Sequence, residues 1–460
     1  MENIIFESGE KFKEYLREFI EKEDISVDNA ELFLTERINS LVCSFLGTLY
    51  EQKDAEMRED KEFRKREGLT VERRDDPRSI LSLFGDVRYS RTYYKKASGG
   101  YEYPVDSIVG IDPFARISEG CCAALVDSAC YESYALASHD VAGGNVSKQT
   151  VMNKIRMAVV PEKIPAEEKR KVRVLHVDAD EDHVPLQNGK NTIVMTATMY
   201  EGVERVCKGR NKCINAESMS RYNMDPEEFW EEFYDMMDAK YDLDNVKIYL
   251  HADAGEWIQE AFNWFPSDAV FVLDWYHVNQ RVLEAVSGIP APDRDAYMKA
   301  LKECFKEKDS RLLAELKESM ISSYPERCET IADGIDYLLR HFDAIHIRYE
   351  DENATGGSSE PHVQHLLSHR LSSVPMGWSK ETLEHFAPIL TAKCFVFDKH
   401  DSYKPAKPKM LTPAQAVRTK KLKNVSHGSG LMDPGNVIFL PTCNYKKTRL
   451  GDTLRALGRI

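Results

Sequence analysis

Apolar residues recur at helical spacing near the start of the chain, at Phe12, Tyr15, Leu16 and Phe19. They do so again at Leu32, Leu34, Ile38, Leu41, Val42 and Phe45, so residues 1–75 read as a helical region. From Glu51 to Arg74 almost every residue is charged or polar, which fits an exposed helix or a linker. β-formers then cluster around Gly85-Asp86, between Ser79 and Tyr94, and predict a hairpin with Arg88 and Arg91 near its exposed surface. Helical spacing returns over 115–157. Within it, Glu132–Ile155 has the form of a helix-turn-helix: the first helix closes at Gly143-Gly144, and Ser147 or Asn145 caps the second. That second helix would expose Lys148, Gln149 and Asn153, side chains able to meet phosphates or base edges. An ordinary helical hairpin accounts for the same pattern. Pro161–Lys171, with two prolines and a charge run, reads as a linker.

From Val172 the pattern becomes α/β. Strands are predicted at 172–180, 191–200, 203–208, 246–252 and 269–273, with helices over Pro226–Lys240 and Glu256–Trp264. Three strands, a helix, a strand, a helix and a strand is the order of an RNase H-like core. In that arrangement the first and fourth strands lie side by side and present Asp180 and Asp253 to one crevice. After Asp274 the signal is helical for some eighty residues (Val278–Glu284, Asp293–Glu307, Ser310–Ser322, Glu326–Tyr349), and a helix carrying Glu360 then returns to the core. The expected fold class is therefore α/β, an RNase H-like core interrupted by an all-α insertion and preceded by a mainly helical DNA-binding region. The expected divisions are 1–75 (helical), 76–160 (hairpin and helix-turn-helix), 172–274 (first part of the core), 275–355 (helical insertion), 356–400 (end of the core) and 401–460 (basic tail).

A chain of 460 residues is long enough for two or three domains. Its formal net charge of −14 argues against a uniformly basic nucleic-acid coat, yet residues 401–460 hold twelve Lys/Arg against three Asp/Glu. Such a tail suits a polyanion partner or a solvated terminus. The start of the chain lacks the basic segment and apolar run of a signal peptide, and no apolar stretch approaches bilayer-spanning length, so a cytoplasmic location without a membrane partner is expected. The ten cysteines are scattered apart from Cys121-Cys122 and read as reduced thiols. Cys207 and Cys213 lack the spacing and the second pair of a zinc site. There is no phosphate-binding Gly-rich loop ending in Lys-Ser/Thr, no Gly-x-Ser-x-Gly elbow and no Cys/His catalytic signature.

What stands out instead is acid at predicted strand ends. Asp180 closes Val172-Arg-Val-Leu-His-Val-Asp-Ala-Asp, Asp253 closes Val246-Lys-Ile-Tyr-Leu-His-Ala-Asp, and Glu360 precedes Pro-His-Val-Gln-His. Carboxylates converging in one crevice repel each other and favour cations that offset the charge. All-oxygen ligands suit Mg²⁺, two ions of which support phosphodiester chemistry. Asp178, Asp180, Glu181 and Asp182 crowd together. Alternation puts Asp178 and Asp180 on one face with Asp182 beyond the strand end, which favours Asp180 and leaves Asp178 and Asp182 as alternatives. Asp253 has a second reading as the N-cap of the helix near Glu256. Asp274 and His277, in Asp-Trp-Tyr-His, read as support for the site or as core residues.

Four ordered runs carry a family resemblance: Asp178-Ala-Asp-Glu-Asp-His-Val, His251-Ala-Asp-Ala-Gly-Glu-Trp-Ile, Leu273-Asp-Trp-Tyr-His-Val, and Ser359-Glu-Pro-His-Val-Gln-His followed by Arg370-Leu-Ser-Ser-Val-Pro-Met-Gly-Trp-Ser. Together they resemble bacterial insertion-sequence transposases of the ISLre group, DDE enzymes related to the Mutator-like transposases. Ser82–Val87 and Val146–Val151 extend the likeness upstream, so that it covers roughly residues 70–380. The resemblance implies a catalytic, metal-binding triad of Asp180, Asp253 and Glu360, with Asp274 and His277 matching the family's Asp-x-x-His element. It departs at Asp178, where Glu is expected, and at His-Ala-Asp in place of Gly-Asp-Gly. It further implies two Mg²⁺ ions (Mn²⁺ able to substitute), terminal inverted repeats and target DNA as substrates, and a homodimer or larger assembly on nucleoid DNA. A nuclease of the same fold without strand transfer, and a transposase-derived DNA-binding regulator, are the alternative functions.

Overall fold

Alternate residues of Val174–Pro185 divide into two kinds. Leu175, Val177 and Ala179 are apolar, whereas His176, Asp178, Asp180 and Asp182 are polar, and all seven are buried. Because a strand sends successive side chains to opposite faces, this segment has one apolar face and one polar face, both covered. It is the central strand of a five-stranded sheet in the computed structural model, which describes residues 2–397 except 23, 163, 164, 208, 209, 355, 356, 358, 375 and 393. The basic tail 401–460 lies outside the described residues. The described chain divides into two units, one running to Lys154 and the other from Ile155 to Phe397.

In the first unit, helices Glu2–Ile20 and Val27–Glu59 precede a hairpin of β1 (Leu69–Ser82) and β2 (Gly85–Lys96). The turn falls at Leu83-Phe84, two residues before the expected Gly85-Asp86, and Ser82 pairs with Gly85 across it. Gly85 takes φ 119°, a conformation open to glycine and unfavourable for other residues. The hairpin begins at Leu69, inside the stretch expected to be helical or linker. Ile80, Val87 and Tyr89 pack with Met57 and Val105 into its core. Helices Glu119–Ala129 and Tyr134–Ala142 follow. The latter ends at left-handed Gly143, Ser147 Oγ accepts from Thr150 N at 3.0 Å, and the helix Lys148–Met157 begins, with the turn and the cap at the positions expected from Gly143-Gly144 and Ser147.

The second unit is built on β3 (Val174–Pro185), β4 (Asn191–Tyr200), β5 (Glu217–Tyr222), β6 (Lys247–Ala252) and β7 (Val270–Leu273), in the spatial order β5-β4-β3-β6-β7. Strand β4 is antiparallel to both β3 and β5, while β3, β6 and β7 run parallel. The helix Pro226–Asp238 lays Phe229, Trp230 and Phe233 over the apolar face of β3. Five helices between Trp275 and Glu350 then form their own core around Val282, Leu301, Phe305, Ile331 and Ile335.

Two sequence expectations are corrected. The strand at 203–208 is not the third strand of the sheet: Val203–Cys207 pairs with Arg210–Cys213 as a separate hairpin, exposed along Val203–Cys207. Its Glu204 and Arg205 offer nothing to a core, whereas Glu217–Tyr222 sets Met219 against Ala197 and buries it. Asp182 is also not beyond its strand, because β3 continues unbroken to Pro185, pairing Asp182 with Val194 and Val184 with Thr192.

Candidate active site

The register of β3 and β6 fixes the first two acids. His251 lies beside Asp178 and Ala252 beside Ala179, the last pair of the register, so Asp180 and Asp253 each follow a member of that final pair. Asp253 has left the strand, is half-buried, and accepts from Gly255 N at 2.9 Å. That bond closes a turn rather than capping a helix: the N-cap of the short helix Glu256–Gln259 is Gly255, so the capping reading of Asp253 does not hold.

The three aspartates on the polar face of β3 have different partners. Asp178 accepts from Tyr200 Oη at 2.9 Å and forms an ion pair with His362, Oδ2 to Nδ1 at 3.1 Å. Asp182 accepts from Ser368 Oγ at 3.1 Å and from Ser372 Oγ at 2.9 Å. Asp180, between them, receives among the described residues only the amide of Glu181 on Oδ1, and its Oδ2 stands 3.8 Å from His277 Nε2. Burial raises the pKa of both outer acids; the His362 contact draws Asp178 back, and the two serines draw Asp182 back.

Asp274 ends β7 and caps the helix Trp275–Ala285 by accepting from Tyr276 N at 2.8 Å. Its other oxygen accepts from Ser359 N at 3.1 Å and Ser359 Oγ at 2.6 Å. Asp274 thus holds the first residue of the helix that carries Glu360. Gly357, at φ 76°, passes so close that any Cβ there would strike the Asp274 carboxylate.

Glu360 is half-buried. Burial raises its pKa above the ordinary Glu value, and the Asp180 carboxylate raises it further, with His277 opposing and Asp274 and Asp182 adding to the rise. His277 answers to the same charges. Burial opposes its protonation, but Asp180, in contact, and then Asp274 and Asp253 raise its pKa above that of a free histidine. One imidazole therefore lies within the field of Asp180, Asp253 and Asp274 and acts on Glu360 in turn. The structure brings Asp180, Asp253, Glu360, Asp274 and His277 into one electrostatic neighbourhood.

Among the described residues no group of three or more His, Cys, Asp or Glu side chains is arranged to hold a metal ion. The donor set nevertheless suits a hard cation in kind, since among the described residues Asp180 Oδ2 and Glu360 accept no hydrogen bond. Mg²⁺ is commonly held by one or two carboxylates, with waters and phosphate oxygens filling its remaining positions.

Of the expected DNA-binding residues, Lys148, Gln149 and Asn153 are exposed on their helix, with Gln149 donating to Asn153 at 3.0 Å, while Val151 and Ile155 are buried beneath. Arg88 is exposed and its side chain lies beside Asp86. Arg91 is not exposed: its side chain is 11 % accessible, paired with Asp106, and stacked on the Tyr103 ring at 3.5 Å. It sits opposite Asp76 on the face that packs against Tyr103, so the guanidinium is spent on the fold. The sequence reading also missed three contributors, His362, Ser368 and Ser372. A signal was present, since three buried same-face carboxylates each need a polar partner from elsewhere.

The fold and site define a mixed α/β protein whose central strand carries three buried aspartates, engaged by a helical segment that returns to the sheet. A model of the uncharacterised protein family UPF0236 matches residues 20–401, and the chain belongs to that family. A UPF0236 protein of Caldanaerobacter subterraneus subsp. tengcongensis is 34% identical over 434 residues, covering 93% of this chain and 88% of its own length. Another from the same bacterium is 33% identical over the same number of residues, and its printed name joins eleven locus labels. A Streptococcus gallolyticus relative, named for the region 3′ of vanSb, is 24% identical over 335 residues, covering 70% of this chain and 73% of its own length. Among the described residues no helix is long and apolar enough to cross a membrane.

Proposed function

We propose that the chain is a DDE transposase with an RNase H-like core, of the insertion-sequence type that its motifs resemble. The observation carrying this reading is the parallel pairing of β3 with β6 up to Ala179 and Ala252, the residues just before Asp180 and Asp253, with Glu360 brought back into the field of Asp180 after the helical insertion. The sheet order β5-β4-β3-β6-β7 with one antiparallel neighbour beside the central strand supports it. So does the multiplicity of a relative's loci within one bacterium, as expected of a mobile element.

In this reading Asp180, Asp253 and Glu360 would be the residues to hold Mg²⁺, which would supply charge neutralisation at the phosphate and acidify a water. The chain's own residues orient the scissile phosphate between the Asp180–Asp253 pair and Glu360, and His277 tempers the repulsion among them. Water adds to phosphorus at the element end and the P–O3′ bond breaks, leaving a 3′-hydroxyl. That hydroxyl attacks a target phosphate in a second in-line displacement. Lys148, Gln149, Asn153 and Arg88 contact terminal-repeat DNA, with a homodimer or larger assembly joining two ends.

The test is metal-dependent cleavage of a terminal-repeat duplex and joining of its 3′ end to a plasmid. Asp180→Asn, Asp253→Asn and Glu360→Gln should each bind the duplex as wild type does and lose cleavage by at least about 100-fold, as expected for loss of an electrostatic catalytic group. Wild-type-like cleavage by any of the three removes that residue from the triad. Cleavage without joining assigns a nuclease instead.

A further inference from the structure

The polar face of β3 presents three buried acids at two-residue intervals, and the two outer ones are engaged by a single segment. That segment, residues 359–372, begins as an α-helix, passes through a π-helical turn at Gln364–Ser368 and ends with the helix His369–Leu371 and its C-cap Ser372. His362, two residues after Glu360, forms the ion pair with Asp178, and its Nε2 lies 3.7 Å from Cys213 Sγ. Ser368 and Ser372 both donate to Asp182. Single π-helical turns re-phase a helix by an extra residue and concentrate at functional sites. Here the turn follows the His362 contact and ends on Ser368 itself.

We propose that Asp178 and Asp182 are positioning residues, two clasps that fix the Glu360-bearing segment onto β3 at His362 and at Ser368–Ser372, so that Asp180 alone of the three faces Glu360. The proposal rests on the transposase reading for the role of Glu360, but the clasps themselves are a property of the fold. A carboxylate saturated by two hydroxyls or held by an imidazole is a poor cation ligand, because binding the ion would break those contacts and leave buried donors unpaired. Asp180 carries no such load on Oδ2.

The experiment uses the full chain and four variants, Asp178→Asn, Asp182→Asn, His362→Gln and the double Ser368→Ala/Ser372→Ala, with the two combinations of clasp partners. Amide hydrogen exchange of 359–372 is measured against that of 191–200, Mn²⁺ binding is measured without DNA, and kcat and KM are measured on the terminal-repeat duplex. The clasps predict at least tenfold faster exchange confined to 359–372, Mn²⁺ binding weakened less than by Asp180→Asn, and kcat reduced with KM unchanged. Each combined variant should be no worse than its more damaging parent, because both partners serve one contact. Loss of Mn²⁺ binding by Asp178→Asn or Asp182→Asn equal to that of Asp180→Asn, with exchange of 359–372 unchanged, would make that acid a ligand and overturn its clasp. Unchanged exchange with unchanged kcat would overturn it too. If the wild type cleaves no DNA, the transposase reading falls, while the exchange data still decide whether the clasps exist.

Discussion

His277 Nε2 stands 3.8 Å from Asp180 Oδ2, too far for a hydrogen bond and close enough for strong Coulombic attraction. That nitrogen is buried and finds no hydrogen-bond partner among the described residues. The imidazole therefore acts mainly through charge, offsetting repulsion among acids that a bound cation would also offset. His277→Gln should lower the melting temperature in EDTA by a few degrees, as follows from a loss of roughly 1 kcal/mol. It should also enlarge the rise in melting temperature on adding Mg²⁺. Scanning calorimetry with and without the ion checks both, and an unchanged Mg²⁺ increment would show that His277 and the ion do not share a role.

Two further histidines lie behind the crevice in a neutral pair. His176 Nδ1 and His251 Nε2 are 3.0 Å apart, with His176 stacked between Tyr200 and Tyr249. Burial pushes His176 down to about 4; burial, then His176 and Arg348, push His251 down to about 3. In the unfolded chain each titrates near 6.5. Below about that pH the unfolded chain binds protons the folded chain does not, so the pair's contribution to stability falls as the solution is acidified from about 6.5 towards 4. The buried acids, whose pKa values are raised, work in the opposite direction, so the histidine share is read as a difference between proteins. Urea unfolding between pH 7 and 5 should show a dependence on pH that His176→Gln flattens, by a difference that grows towards about 1.4 kcal/mol per unit near pH 5, the linkage slope of one proton. Equal slopes in the two proteins would mean that His176 is protonated in the fold.

Much of this site is legible in the chain because strand alternation and helix periodicity are local. The β3, β4, β6 and β7 segments, the insertion helices and the positions of Asp180 and Asp253 follow from them. What is not local is less readable. Glu217-Ser-Met-Ser-Arg-Tyr is as polar as Val203-Glu-Arg-Val-Cys, and only pairing with β4 makes it the edge strand of the sheet. The run from Asp178 to Asp182 gives no sign of where β3 stops, since the partners that let its acids be buried, His362, Ser368 and Ser372, lie far along the chain. The fate of Arg91 is of the same kind: alternation assigns it a face, and Asp106 and Tyr103 decide whether that face is covered.

Arg88 and Arg91, three residues apart on β2, should therefore behave oppositely. Arg91→Ala leaves the Asp106 carboxylate buried without its cation and removes the stack on Tyr103. Breaking a buried pair from one side costs about 3–5 kcal/mol. Arg88→Ala removes an exposed side chain near Asp86 and should change stability by less than about 0.5 kcal/mol. Chemical denaturation of the two variants checks this, and equal destabilisation would place Arg91 at the surface after all.

Lys148 opens the helix that follows the Gly143-Gly144 turn, with its side chain exposed while Val151 and Ile155 anchor the helix from below. A cation there adds nothing to the core, so Lys148→Ala should leave the melting temperature within about a degree of wild type, as for a neutral surface change. Its effect belongs to binding. If the helix meets the phosphate backbone, losing one ammonium removes one counterion-releasing contact, and the slope of log affinity against log salt for a terminal-repeat duplex should become shallower by about 0.9. Gln149→Ala and Asn153→Ala remove no charge, so they should leave that slope alone. They should instead reduce the preference for the repeat over random duplex, by about 1–3 kcal/mol if the pair reads a base edge. Titrations at several salt concentrations, with specific and random duplexes in parallel, separate the two effects. A Lys148→Ala slope equal to that of wild type would take this helix out of the DNA interface.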